Sequence, residues 1–152
     1  MRKASTPSVF RVLVDSMDLE RSRRFYETLL GVRGRRVADD RFYFDCGSVI
    51  LGLVARSGGH DRARSRPKEA IYFATDDIET VHRRARRLNC LDPDLLHGDA
   101  SSPMGQVAVR PWGERSFYVN DPSGNPLCFV DSRTTFTGTQ RQVAALRRAT
   151  RE

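Results

Sequence analysis

The sequence contains no apolar run approaching the ~18–20 residues that a membrane-spanning helix requires. It has three cysteines, Cys46, Cys90 and Cys128, far apart, with no CxxC pair and no neighbouring histidine. That excludes a disulfide framework and points to free thiols in a reducing compartment. Lysine is nearly missing: of 26 basic residues only Lys3 and Lys68 are lysines. The skew toward arginine is as much the codon usage of a GC-rich, bacterial-type genome as chemistry, so it is not taken as evidence for phosphate binding. The opening segment MRKASTPSVF carries basic residues but no apolar stretch of signal-peptide length, and the expected location is cytoplasmic.

With 152 residues, 39% of them hydrophobic, the chain is long and apolar enough for a globular core. It suits one domain, or two small subdomains sharing a core, and needs neither disulfide nor metal to fold. The formal charge of +7 is uneven. Residues 1–68 carry 15 basic and 8 acidic side chains, residues 69–133 carry 7 and 10, and the tail 134–152 carries four arginines against Glu152. No helix-turn-helix, aromatic RNP strand or zinc finger accompanies that charge. Nucleic acid is therefore not the expected partner, and an accessory role beside it would rest on charge alone.

Along the chain, alternation in residues 8–15 gives a strand with two unlike faces, Phe10, Val12 and Val14 against Arg11, Leu13 and Asp15. Asp18 is placed to N-cap a helix running to Leu30, with Leu19, Phe25, Tyr26, Leu29 and Leu30 as its apolar stripe and Gly31 as its stop. Strands follow at about 33–38, 41–46 and 48–55. Residues 57–68 are rich in Arg, Gly and Pro without periodicity and read as a linker. The order then starts again: a strand at 69–75, a helix capped by Asp76-Asp77 with stripe Ile78, Val81, Ala85 and Leu88, loop and strand material over 91–113, and strands 115–120 and 126–131 around the turn Asp121-Pro122-Ser123-Gly124-Asn125. This is a repeat of strand–helix–strand–strand–strand. The predicted organisation is an N-terminal extension 1–7, a first βαβββ module 8–56, the basic linker 57–68, a second module 69–131, and a basic tail 132–152 in which Val143, Leu146 and Ala149 mark a short amphipathic helix. The fold class is α+β: two repeated modules forming a curled mixed sheet around one cavity, with the helices outside.

The residues Val14-Asp15, Asp18-Leu19-Glu20-Arg21-Ser22, Phe25-Tyr26 and Leu30-Gly31 in the first half, with Phe73, Asp76-Asp77-Ile78, Pro111-Trp112-Gly113-Glu114-Arg115 and Asp121-Pro122-Ser123-Gly124-Asn125-Pro126-Leu127 in the second, resemble the vicinal oxygen chelate superfamily. That superfamily includes glyoxalases, fosfomycin-modifying enzymes, extradiol dioxygenases and bleomycin resistance proteins. The resemblance spans about 8–131. It implies the fold more strongly than the function, because one scaffold hosts isomerases, transferases, dioxygenases and plain binders.

The resemblance also implies where a metal would sit. Metal-dependent members take one ligand from the first strand and one from the last strand of each half, usually His, Glu or Gln. The matching positions here are Arg11 and Gly52, then Ala70 and Cys128. Such a set does not hold a divalent ion, and Arg11 would repel one. His60, His82 and His97 have no i,i+4 partner and no HExxH pattern, and are read as ordinary histidines. No metal or other cofactor is expected, and the reading leans away from catalysis.

The same face assignment nominates a cavity wall: Arg11 and Leu13 with Asp15 at the mouth, Tyr43, Asp45, Ile50 and Gly52, then Ala70, Tyr72, Ser116, Tyr118 and Cys128. Arg11 would either pair with Asp45 or Asp15 or engage an acidic group of a ligand. The tyrosines would stack on a planar ligand or fill volume, and Trp112 would cover the rim or pin its loop. Cys128 lacks a nearby base and reads as an inert thiol; Arg115 and Asp121 read as structural. The ligand-binding set is thus Arg11, Leu13, Tyr43, Asp45, Ile50, Tyr72, Trp112, Ser116, Tyr118 and Cys128. The expected function is capture of a small planar or acidic molecule without a metal, of the kind used in resistance or sequestration, by a homodimer. The competing readings are a metal-dependent lyase, isomerase or dioxygenase and, more remotely, the nucleic-acid accessory.

Overall fold

A computed structural model describes residues 8–56, 69–96 and 103–150. The predicted N-terminal extension 1–7 and linker 57–68, with His60 and His97, lie outside the described residues. The chain divides into two compact units, Met1–Arg66 and Pro67–Glu152.

In the first unit the elements are β1 (Arg11–Ser16), α1 (Leu19–Leu30), β2 (Arg35–Ala38), β3 (Arg41–Cys46) and β4 (Val49–Ala55). The helix starts where the Asp18 side chain accepts the Arg21 amide at 3.1 Å. It stops where Gly31, at φ 73°, donates its amide to Glu27 O at 3.0 Å, a left-handed turn that favours glycine. The sheet order is β1-β4-β3-β2, with β1 parallel to β4 and the other pairs antiparallel. Its core face holds Val14, Phe42, Phe44, Leu51 and Leu53, buried against Phe25, Tyr26 and Leu29 of the helix. Burying each such side chain is worth about 1.5–3 kcal/mol. A buried hydrogen bond of 2.7 Å from Ser16 Oγ to Ser22 Oγ ties the end of β1 to α1.

The second unit repeats the order with β5 (Ile71–Thr75), α2 (Ile78–Arg87), β6 (Ala108–Val109), β7 (Arg115–Asn120) and β8 (Pro126–Asp131), arranged β5-β8-β7-β6. Asp77, not Asp76, is the N-cap, accepting from Thr80 N at 3.1 Å and Thr80 Oγ1 at 2.7 Å. Phe73, Phe129 and Phe117 stack in a row under α2, with the edge of His82 on Phe117 at 4.8 Å. His82 Nε2 donates to Gly105 O at 2.9 Å, so this histidine is a packing residue. The hairpin between β7 and β8 is built on Asp121, whose carboxylate accepts from Ser123 N, Asn125 N and Asn125 Nδ2 at 2.8–2.9 Å. After β8 comes a short 3-10 turn, Ser132–Thr134, and then α3 (Gln140–Thr150), the helix expected in the tail.

The expected α+β architecture of two βαβββ modules is therefore observed. Its strands form two four-stranded mixed sheets that are not closed into a barrel. Among the described residues no helix is long and apolar enough to cross a membrane.

Candidate functional site

In the first unit the sheet face away from α1 carries Arg11, Leu13 and Asp15, Ile50 and Gly52, and Tyr43 and Asp45. The ladders align them in rows: Arg11–Ile50–Asp45 and Leu13–Gly52–Tyr43. Gly52 is the floor of the second row. A Cβ there would stand 2.6 Å from Leu13 Cδ2 and 3.1 Å from Tyr43 Cε1, so its bare backbone lets those side chains lean together. The Arg11 guanidinium lies over the Tyr43 ring at 5.6 Å and the Phe10 ring at 4.9 Å.

The expected ion pair of Arg11 with Asp45 or Asp15 is not formed. Asp45 is held by Arg35 and Asp15 by Arg56, each at 2.8 Å. The reason is strand order: β4 separates Arg11 from Asp45, roughly two strand spacings or ~10 Å, whereas Arg35 sits on the adjoining β2. Arg11 is exposed rather than sealed in a trough.

In the second unit Ala70, Tyr72, Ser116, Tyr118 and Cys128 share the face away from α2, with Tyr72, Cys128 and Tyr118 in one row. This face is covered in part, Tyr72 remaining exposed. Ser116, Tyr118 and Cys128 are buried, and Met104 and Ala70 pack against Tyr118, Cys128 and Val130. The cover comes from residues 103–110, read from sequence only as loop and strand material. At its end Arg110, 2% exposed, donates to the carbonyl oxygens of Pro103 (3.3 Å), Met104 (3.3 Å), Gln106 (3.0 Å) and Ser116 (2.9 Å) and to Ser116 Oγ (3.1 Å). Burial draws the Arg110 pKa down, opposed by nearby Tyr118 and Cys128.

Three of the nominated wall residues thus lie beneath the protein's own chain. Burial pushes the Tyr118 hydroxyl far up, helped by Tyr72, whose Oη lies 3.4 Å from Tyr118 Oη. Burial also raises the Cys128 thiol to about 11, against hydrogen bonds from Ser116 and Tyr118. At neutral pH Cys128 is a protonated, enclosed thiol with no nucleophilic character.

Beside this covered patch lies an open cavity of about 560 Å³, lined by Tyr72, Trp112, Glu114, Val130, Phe136 and Leu146 among others. Trp112 Nε1 donates to Glu114 Oε1 at 2.7 Å and Phe136 N donates to Glu114 Oε2 at 2.8 Å. Trp112 therefore does two jobs, pinning its loop and walling the cavity. Arg110, Glu114, Phe136 and Leu146 were not legible as site residues. Glu114 stands within the Trp-Gly-Glu-Arg motif and Leu146 on the apolar stripe of the tail helix, but Arg110 and Phe136 carry no local signal.

The four positions that the family resemblance nominates for metal ligands bear a guanidinium, a hydrogen, a methyl group and a buried thiol, at Arg11, Gly52, Ala70 and Cys128. Two have no donor atom, one is cationic, and only the Cys128 thiol is a ligand-type group. These residues do not fit a divalent ion. Among the described residues no three His, Cys, Asp or Glu side chains gather as a metal set.

The sequence model of the Glyoxalase/Bleomycin resistance protein/Dioxygenase superfamily matches residues 9–129. No curated protein matches. Among solved structures, an oxidase called ChaP-H2 is 20% identical over 89% of this chain and 98% of its own, with a TM-score of 0.62. Lactoylglutathione lyase from Agrobacterium tumefaciens is 19% identical over 86% and 97%, with a TM-score of 0.58. TioX from Micromonospora sp. ML1 is 15% identical over 83% and 99%, with a TM-score of 0.60. At these identities the likeness is one of fold.

Proposed function

The chain belongs to the Glyoxalase/Bleomycin resistance protein/Dioxygenase superfamily, and from that premise we propose that it captures a small planar acid without a metal instead of transforming a metal-bound substrate. What supports the reading is that Arg11, Gly52, Ala70 and Cys128 stand at the four positions the family resemblance nominates for metal ligands. In the first unit this leaves a recognition surface. Arg11 supplies a guanidinium for a carboxylate or phenolate, while Leu13, Tyr43 and Ile50 supply apolar and aromatic area for a flat body. Gly52 keeps that area level. Asp45 and Arg35, paired with each other, edge it with polarity. In this reading the protein sequesters its ligand and is a homodimer. The exposed apolar residues Val9, Phe10 and Met17, flanking the edge strand β1, are the surface a second copy would cover.

Two measurements test this. Protein purified without chelator should hold well under one Fe, Mn, Zn or Ni per chain by elemental analysis, and one stoichiometric ion overturns the reading. Titration with 2-naphthoate should show saturable binding that weakens about tenfold or more in Arg11→Met. An unchanged affinity in that variant removes Arg11 from the site.

A further inference from the structure

We propose that the second unit carries a separate site, for a small organic cation with a flat apolar body, in the cavity over Glu114. Glu114 is 7% exposed and its oxygens accept from two neutral donors, Trp112 Nε1 and Phe136 N. No Arg, Lys or His among the described residues forms an ion pair with it. The arginines nearest in sequence are engaged elsewhere: Arg110 on four carbonyl oxygens, Arg115 on Glu79 and Asp131, and Arg133 on Asp131. A carboxylate taken out of water with no cation is under-compensated, and two of its roughly four acceptor positions remain for a further donor.

The walls point to the same ligand chemistry. Tyr72, Trp112 and Phe136 are three aromatic residues lining the cavity, and aromatic faces attract organic cations while an apolar body fills the rest. The volume of about 560 Å³ lies within the range of small-molecule sites. An anion would meet Glu114 with like charge, and a neutral ligand would leave its charge uncompensated.

Part of this site lies outside the family match. Phe136 and Leu146 lie beyond residue 129, where the family match ends. The tail that bears them is tied down, with Gln142 Nε2 donating to Thr135 O at 3.0 Å and Gln142 Oε1 accepting from Thr137 N at 3.0 Å and Thr139 N at 3.2 Å. The inference goes beyond the Arg11 reading and uses none of its residues, so either can fail alone.

Trp112 is the only tryptophan, so its emission reports directly on the cavity. Three probes of nearly equal shape decide the matter: benzyltrimethylammonium, its uncharged isostere neopentylbenzene, and the anion phenylmethanesulfonate. The expected result is a saturable change of Trp112 emission with the cation, an affinity about tenfold or more above the neutral isostere, and no saturable response to the anion. Glu114→Gln should erase the preference, bringing cation and isostere within about twofold, and Ala74→Phe, which fills the cavity from β5, should weaken both. Arg11→Met should leave the cation affinity unchanged. Equal binding of cation and isostere, no response to the cation, or a preference surviving in folded Glu114→Gln overturns the proposal. Should circular dichroism show Glu114→Gln unfolded, the probe contrast in the unaltered protein and the weakening of both probes in Ala74→Phe decide it.

Discussion

The two units share one construction and differ in what lies on it. Each has an Asp-capped helix packed on a four-stranded mixed sheet, and in each the opposite sheet face carries the residues expected from strand alternation. In the first unit α1 and β2 are joined by residues 31–34, and that face stays open with Arg11 stacked on Tyr43. In the second unit α2 and β6 are joined by residues 88–107, part of which lies on the equivalent face, and a tail beyond β8 walls the cavity beside it. A shared scaffold thus presents Arg11 on an exposed face in one unit and the buried Glu114 beside an open cavity in the other. The connections set that difference, and the repeat does not.

The comparison is sharpened first at the shared scaffold. Phe44→Ala in the first unit and Phe117→Ala in the second each empty a fully buried ring position, and each should cost about 3–5 kcal/mol in urea unfolding. A large inequality would show that the two cores are not equivalent supports. The next effect should be one-sided. Arg110→Ala removes the donor to four carbonyl oxygens and should cost about 3 kcal/mol, whereas Arg11→Ala, on the open face, should change stability by about 0.5 kcal/mol or less. Similar losses at the two arginines would break the contrast.

A smaller effect is expected at Gly52→Ala. The new methyl would displace the tip of Leu13 and the Tyr43 ring, so stability should fall by about 1 kcal/mol while 2-naphthoate binding weakens. The smallest effect is a pH dependence belonging to the second unit. Arg133 holds the Asp131 carboxyl down at about 2, from an ordinary 3.8, by a side-chain hydrogen bond. A depressed carboxyl stabilises above its unfolded pKa and loses that contribution as pH falls toward its folded one. The melting temperature should therefore fall between about pH 4 and pH 2, and Asp131→Asn should flatten that part of the curve.

Much of the fold was legible because it is written locally. Asp18 and Gly31 mark both ends of α1, alternation marks the faces of β1, β3 and β8, and Asp121 with Gly124 marks the hairpin. Of the pair Asp76-Asp77, it is Asp77 that caps α2. The partners of Arg11 were not legible, since strand order, which sequence spacing does not reveal, put Arg35 nearer to Asp45. Nor was the covering of Ser116, Tyr118 and Cys128, because residues 103–110 have no periodicity and their folding over that face depends on Arg110 finding four carbonyl oxygens at once.

By itself the sequence determined the repeated strand–helix–strand–strand–strand order and the side of each strand that meets a helix. These follow from periodicity and residue chemistry, which act over a few neighbours. Only the tertiary structure decided which of two like faces stays open, and that Trp112, Glu114, Phe136 and Leu146 share one cavity. Those outcomes depend on non-periodic segments closing onto a sheet far away in sequence, where burial and hydrogen-bond satisfaction choose the partners.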